Sequence, residues 1–468
     1  MRIINDENLT ITKVAPLIRK RLLSPVELTK ALLARIERLQ PALNAFITIT
    51  SDLALKQARQ AEREITKRRY RGALHGIPIT IKDLFCTAGI RTTAGSKILR
   101  NFVPTENAIV VDRMREAGTI LLGKTNLHEF AFGATNVNPH YGPVHNPWDL
   151  DRISGGSSGG SAAAVSAGLC LASLGTDTGG SIRLPAAACG VVGLKPTFGL
   201  VPTNGVIPLS FTLDHVGPLC RGVEDAGLML GVLAGQDGHG PRGLRRSGKG
   251  IRGLRVGVPK NYFFDRLQRE VRHRVLAAHT ALEKMGAKIQ EIKLEGIQET
   301  VNLVADIVFP EALAFHWNWI NERPQDYGED LRTRMQGRMA QTAVTYLRAL
   351  QKRRQYAESF KKAMESVDVL AVPTIPIIAP RIDEQEVKIG RSMEIVRVAL
   401  LRLTFPGNLS RLPAISLPCG FSPERLPIGL QLIGRPFDEA TLLRIALAYE
   451  QSTPWHKMFP REENMLRA

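Results

Sequence analysis

Three stretches of this chain carry residues that can make or break a bond. Gly118-Thr-Ile-Leu-Leu-Gly123-Lys124-Thr125 fits the phosphate-loop pattern, in which backbone N–H groups curl around phosphate between a strand and a helix. Here the order is reversed. Residues 110–117 read as a helix ended by Gly118, and Ile120, Leu121 and Leu122 read as a buried strand, so nucleotide binding is disfavoured. Gly155-Gly156-Ser157-Ser158-Gly159 matches the GxSxG nucleophile elbow, which needs a core strand feeding a sharp turn and a histidine base downstream. Residues 146–152 before it are polar and contain Pro147, which does not predict a core strand, and His215 and His316 have nothing but their presence to recommend them. The third is a constellation: the serine–glycine segment 155–161, then Gly175-Thr-Asp-Thr-Gly-Gly-Ser-Ile-Arg-Leu-Pro185, and upstream Gly76-Ile-Pro-Ile-Thr-Ile-Lys-Asp83. Singly, each has an ordinary reading: a glycine-rich loop as a tight connection, a strand-ending Lys82 as a solvated tip or the partner of Asp83. Their joint occurrence is far more specific.

The elements that must position these residues are partly readable. Ser24-Pro25-Val26-Glu27 is a capping box with proline at the first helical position. It opens a helix whose Leu28, Leu32, Ile36 and Leu39 share one face before Pro41. A more polar helix covers residues 51–67. Short apolar runs at 77–81, 120–122, 169–174 and 191–194 then alternate with helix-like stretches at 108–117 and 161–167, predicting an α/β sheet covered on both faces. Residues 235–253, rich in Gly and Arg, read as a loop, and 254–258 as a strand. A long helical region covers 269–366 and includes the aromatic patch 315–319. Strands at 369–372, 414–417 and 428–433 and a helix at 439–451 follow. No internal repeat is visible, and one domain is expected over 1–468: N-terminal helices (1–70), a core (71–235), a variable helical region (236–365), and returning strands and helices (366–468).

Bulk properties bound the function. With 468 residues, 44% hydrophobic and 23% charged, the chain has the composition of a globular protein with a large core. The formal charge of +18 raises the question of a polyanion partner. The basic residues are dispersed, with their densest groups at 67–71, 242–255 and 352–354, which favours a solvated basic surface. Five scattered cysteines without a CxxC pair favour free thiols in a reducing compartment over disulfides or zinc. No signal-like N-terminus and no apolar run long enough to span a bilayer predict a cytoplasmic protein.

The constellation resembles the amidase signature family. The likeness takes in the N-terminal helix, GIPITIKD, GTILLGKTN, the serine–glycine segment, GTDTGGSIRLP, CGVVGLKPT and the late LPAISLPCG and PIGLQLIG stretches. It implies an α/β fold with a central mixed, twisted sheet covered by helices on both faces. It also implies Ser181 as nucleophile, Ser157 as proton relay behind a cis peptide bond, and Lys82 as base. Serine is a poor nucleophile until its proton is removed, and a lysine does this only when neutral, as burial without a carboxylate partner makes it. Asp83 is therefore expected to point away from the amine. Backbone N–H groups of Thr178, Gly179, Gly180 and Ser181 would receive the oxyanion, with Ala131 beside the substrate. Ser158 either joins this network or is structural, and Asp177 with Arg183 reads as an ion pair fixing the loop. No metal or organic cofactor is required.

The resemblance leaves the substrate open. The family holds stand-alone amidases and the A subunit of a transamidosome, which hydrolyses glutamine and passes ammonia to a mischarged tRNA. There, an aspartate binds the glutamine amine, and Leu401 occupies that position here; the aromatic stretch at 310–328 also differs from that subunit, although Arg334 aligns with the arginine that holds the glutamine carboxylate. A stand-alone amidase acting on a small-molecule amide, in the homodimer common to the family, is therefore the favoured expectation. Partner subunits and nucleic acid enter only under the alternative. A non-enzymatic scaffold is disfavoured because all three catalytic positions are filled.

Overall fold

The computed structural model describes residues 9–235 and 250–466. Ser24 caps the helix Pro25–Leu43, its hydroxyl accepting hydrogen bonds from the N–H groups of Val26 and Glu27. The helix continues through Pro41, because buried Leu39 and Leu43 hold its last turn against the core despite the missing N–H. It ends where Asn44 turns left-handed at φ 50°. Helix Ser51–Thr66 follows, with Ala54, Ala58, Ala61 and Ile65 buried along one face.

Among the described residues, eleven strands form one mixed sheet. In chain order they are β1 (Phe46–Ile49), β2 (Pro78–Lys82), β3 (Ile120–Thr125), β4 (Ala172–Asp177), β5 (Val192–Lys195) and β6 (His215–Cys220). Then come β7 (Arg255–Pro259), β8 (Lys288–Ile292), β9 (Val369–Pro373), β10 (Ala414–Phe421) and β11 (Pro427–Gly434). Across the sheet the order is β1-β3-β2-β4-β6-β5-β10-β11-β9-β7-β8. The trios β3-β2-β4 and β9-β7-β8 are parallel, and the strands between them antiparallel. Every residue of β2, β3, β4, β10 and β11 is buried, the signature of a sheet covered on both faces. The main hydrophobic core runs from Ile11 to Met465, and a second, smaller cluster gathers Ala134, Ile153, Leu184, Ile375 and Leu400. None of the described helices is long and apolar enough to cross a membrane.

Several expectations need correction. The long helical region 269–366 is broken: helices Arg269–Lys284, Thr300–Glu322, Glu329–Gln336 and Ala343–Glu365 are joined by turns and by β8, which starts two residues after Gly286 at φ +91°. Neither β1 nor β6 was expected; β6 contains Gly217 and Pro218, which read as loop residues, yet it lies between β4 and β5. The strand expected at 169–174 sits three residues later, bringing Thr176 and Asp177 onto its end. Before the serine–glycine segment, Asp149–Ile153 is a strand but, as expected, not one of the core sheet: it pairs with His145–Asn146 in a separate two-stranded ribbon and bridges Arg381 through Arg152. Of the loop expected at 235–253 and the basic group at 242–255, residues 236–249 lie outside the described residues. All five cysteines are free.

Candidate active site

Because β2 and β4 are parallel neighbours, their C-terminal ends emerge at one edge of the sheet, where open α/β sheets place their ligands. Lys82 ends β2 and Asp177 ends β4. Five residues of loop follow Asp177 and deliver Ser181 just before helix Arg183–Cys189. Ser157 reaches the same edge through a cis Gly156–Ser157 peptide bond, two residues ahead of helix Gly159–Ser166.

Lys82 is fully buried, and its amine contacts Ser157 Oγ at 2.7 Å and Thr176 Oγ1 at 2.8 Å. Among the described residues no carboxylate pairs with it. Burial pushes the amine down to about 7, opposed in part by the charges of Asp214 and Asp177. Asp83 does turn away: it accepts hydrogen bonds from the Thr93 N–H and hydroxyl at 2.8 and 2.6 Å and lies 3.2 Å from Lys124 Nζ. The lysine of the phosphate-loop look-alike is thus a buried counter-ion, inside β3 rather than before a helix. The elbow's histidines are elsewhere too. His215 Nδ1 contacts the Leu213 and Asp177 carbonyls, and His316 contacts the Tyr327 hydroxyl at 3.0 Å.

The loop carrying Ser181 is held from beneath. Arg183 is fully buried and donates from all five N–H positions: to both oxygens of Asp177, to Gln431 Oε1, to Asn408 Oδ1 and to the Thr404 carbonyl. Burial alone would raise the Asp177 carboxyl; Arg183, with Lys195 and Asn408, instead holds it well below the usual carboxylate range. Asp177 Oδ1 also accepts the Gly180 N–H at 2.8 Å, so that donor is turned inward and is removed from the expected oxyanion set. Thr178, Gly179 and Ser181 line a cavity, and among the described residues their N–H groups donate to no other group. The Ser158 N–H donates to the Ser181 carbonyl at 3.2 Å, and its hydroxyl to the Thr176 carbonyl at 3.2 Å, tying the two serine loops together. The Ser181 hydroxyl makes no hydrogen bond to the described residues. Contacts of this kind often close only with substrate bound.

The cavity beside Ser181 encloses about 120 Å³. Ala131, at φ 59°, and Leu401 are on its wall, as are Arg334 and Arg397. Thr178 Oγ1 donates to half-buried Asp214 at 2.6 Å, and desolvation pushes that carboxyl up to about 6. Thr176, Asp214 and Arg397 were not anticipated. Thr176 stood inside the quoted GTDTGGS motif, but only its place at the end of β4, beside β2, reveals its contact with Lys82.

Comparison with known proteins agrees with this geometry. The family model described as Amidase matches residues 27–443. The A subunit of the glutamyl-tRNA(Gln) amidotransferase of Carboxydothermus hydrogenoformans is 40% identical, over 97% of this chain and 99% of that one. A solved amidase structure superposes with a TM-score of 0.89 at 35% identity, covering 95% of this chain and 99% of the other. The A subunit of the glutamyl-tRNA(Gln) amidotransferase of Thermotoga maritima superposes with a TM-score of 0.79, also at 35% identity, covering 97% and 98%. With matches of this length joined to a buried lysine between two serine loops, the chain belongs to the amidase signature family.

Proposed function

We propose that this protein hydrolyses a carboxylic amide through an acyl-enzyme, with Ser181 as nucleophile, Ser157 as relay and Lys82 as base. The observation that carries the reading is the buried, carboxylate-free Lys82 amine 2.7 Å from Ser157 Oγ. With Lys82 neutral, the nitrogen accepts the Ser157 proton while Ser157 accepts that of Ser181, and Ser181 Oγ attacks the carbonyl carbon. Backbone N–H groups at Thr178, Gly179 and Ser181 receive the oxyanion; one such donor is worth about 3–4 kcal/mol of transition-state stabilisation. The proton returns along the same path to the leaving nitrogen, and the carbon–nitrogen bond breaks. Water, deprotonated by the same base, then releases the carboxylate and restores Ser181.

A stand-alone amidase is the better-supported form. At equal identity this structure superposes more closely on the amidase (TM-score 0.89) than on the amidotransferase component (0.79). Leu401 lines the cavity where a glutamine-hydrolysing relative would need its aspartate. The second reading, the glutamine-hydrolysing component of an amidotransferase, rests on the 40% identity to such a protein over nearly the whole chain. An ammonia-release assay over glutamine, short aliphatic amides and anilides separates the two. Turnover by the chain alone, abolished in Ser181→Ala and reduced by orders of magnitude in Lys82→Ala, is expected. Glutamine turnover only with added partner subunits would favour the second reading, and full activity in either variant would refute the mechanism.

A further inference from the structure

Two charged side chains enter an otherwise largely apolar cavity, and only one of them is satisfied within the protein. Arg334 donates to Asp330 Oδ2 at 2.9 and 2.7 Å and to the Phe132 carbonyl at 2.7 Å, with its guanidinium 4.8 Å from the centre of the Phe132 ring. Arg397, half-buried on helix Val396–Arg402, makes no hydrogen bond and no ion pair with the described residues. Burial and the like charge of Arg334 both oppose its protonated form, and Asp330, already bound to Arg334, offsets this only in part. A half-buried guanidinium with no protein partner beside an apolar cavity is open to a ligand anion, and it matches a carboxylate in a two-point contact. Around the same cavity, Val301, Val304 and Leu401 among others present hydrocarbon, and among the described residues no Asp or Glu is on its wall. A substrate ammonium there would find no counter-ion.

We infer that Arg397 is a specificity-determining residue that binds a carboxylate carried by the substrate, and that the substrate is an anionic amide without an ammonium group. The inference rests on the amidase reading and adds its substrate class. The carboxylate can sit on the acyl side or on the amine side of the scissile bond, and the assay distinguishes them. Glutaramate is compared with pentanamide for the acyl side, N-acetylglycine with N-ethylacetamide for the amine side, and glutamine with glutaramate for the effect of the ammonium. In one of the first two pairs the anionic member is expected to show at least tenfold higher kcat/KM. Arg397→Met is expected to bring that ratio within about threefold, mainly through KM, with partial recovery in Arg397→Lys. Calorimetric titration of Ser181→Ala with the same compounds reads binding apart from turnover. It should show at least tenfold tighter binding of the preferred anion than of its neutral partner and, where the acyl side is preferred, of glutaramate than of glutamine. Equal affinity within both pairs, or a preference unchanged in Arg397→Met, overturns the inference. Arg397-dependent binding of the anion without hydrolysis of any compound supports it and overturns the amidase reading instead.

Discussion

Replacing Thr176 by aspartate tests the central electrostatic claim, that Lys82 is a base because burial keeps it neutral. An ordinary lysine at 10.5 is neutral in about one molecule in 3,000 at pH 7, whereas at about 7 it is neutral in about half. The base acts without its proton, so kcat/KM of the wild type should rise tenfold per pH unit below about pH 6 and level off above about pH 8. Thr176 Oγ1 lies 2.8 Å from Lys82 Nζ, and Thr176→Asp sets a carboxylate against the amine. An opposite charge at such range favours the ammonium by about 1–3 pH units, which moves the ascending limb to about 8–10. At pH 7 the variant should therefore run roughly 5- to 500-fold slower than wild type, regaining most of its rate near pH 10. Thr176→Val is the control: it removes an acceptor from the ammonium without adding charge, and its limb should stay at or below about 7. Ammonia release measured from pH 5 to 10.5, with circular dichroism to confirm the folds, reads all three proteins. A limb unmoved in Thr176→Asp, or a wild-type profile flat from pH 5 to 9, would refute the reasoning.

Two further perturbations probe the support of the Ser181 loop. Arg183→Met leaves the fully buried Asp177 without its counter-ion and should lower stability by about 3–5 kcal/mol in urea unfolding, with Asp177→Asn restoring part of it; a midpoint unchanged in the single variant would show that the pair is dispensable. Gly180→Ala would place a Cβ 2.2 Å from Thr404 Oγ1 at a backbone φ of +131°, so turnover should fall at least tenfold. Combining it with Thr404→Ala should recover only part of the loss, because the backbone angle still disfavours a side chain, and full recovery would assign the whole effect to the clash.

What could be read in the chain followed from local rules. The Ser24 cap, the apolar runs that became β2 and β3, and the ends of the helix at 439–452 obey periodicity and end chemistry that a neighbourhood of ten residues contains. β6 could not be read that way. Its Gly217 and Pro218 oppose a strand locally, and it becomes one because β4 and β5 supply partners on either side. At the site, the glycine-rich motifs and their resemblance led to Lys82, Ser157 and Ser181. That the Gly180 N–H is bound to Asp177 could not be read, because no spacing rule reports which way a peptide group faces. Arg397 gave no signal: a lone arginine in the apolar run Val396–Leu401 looks like a surface residue until the cavity is seen.

The five-way grip of Arg183 also bears on the order in which the site is completed during synthesis. Its ligands Thr404, Asn408 and Gln431 are made more than 220 residues after Arg183 itself. When Lys82, Ser157, Ser181 and Arg183 have all been synthesised, Asp177 is the one ligand already made, so two of the five hydrogen bonds from the Arg183 side chain have their acceptor. The loop that carries Ser181 therefore gains its full support only after residues 404–431 have been made and β10 has paired with β5.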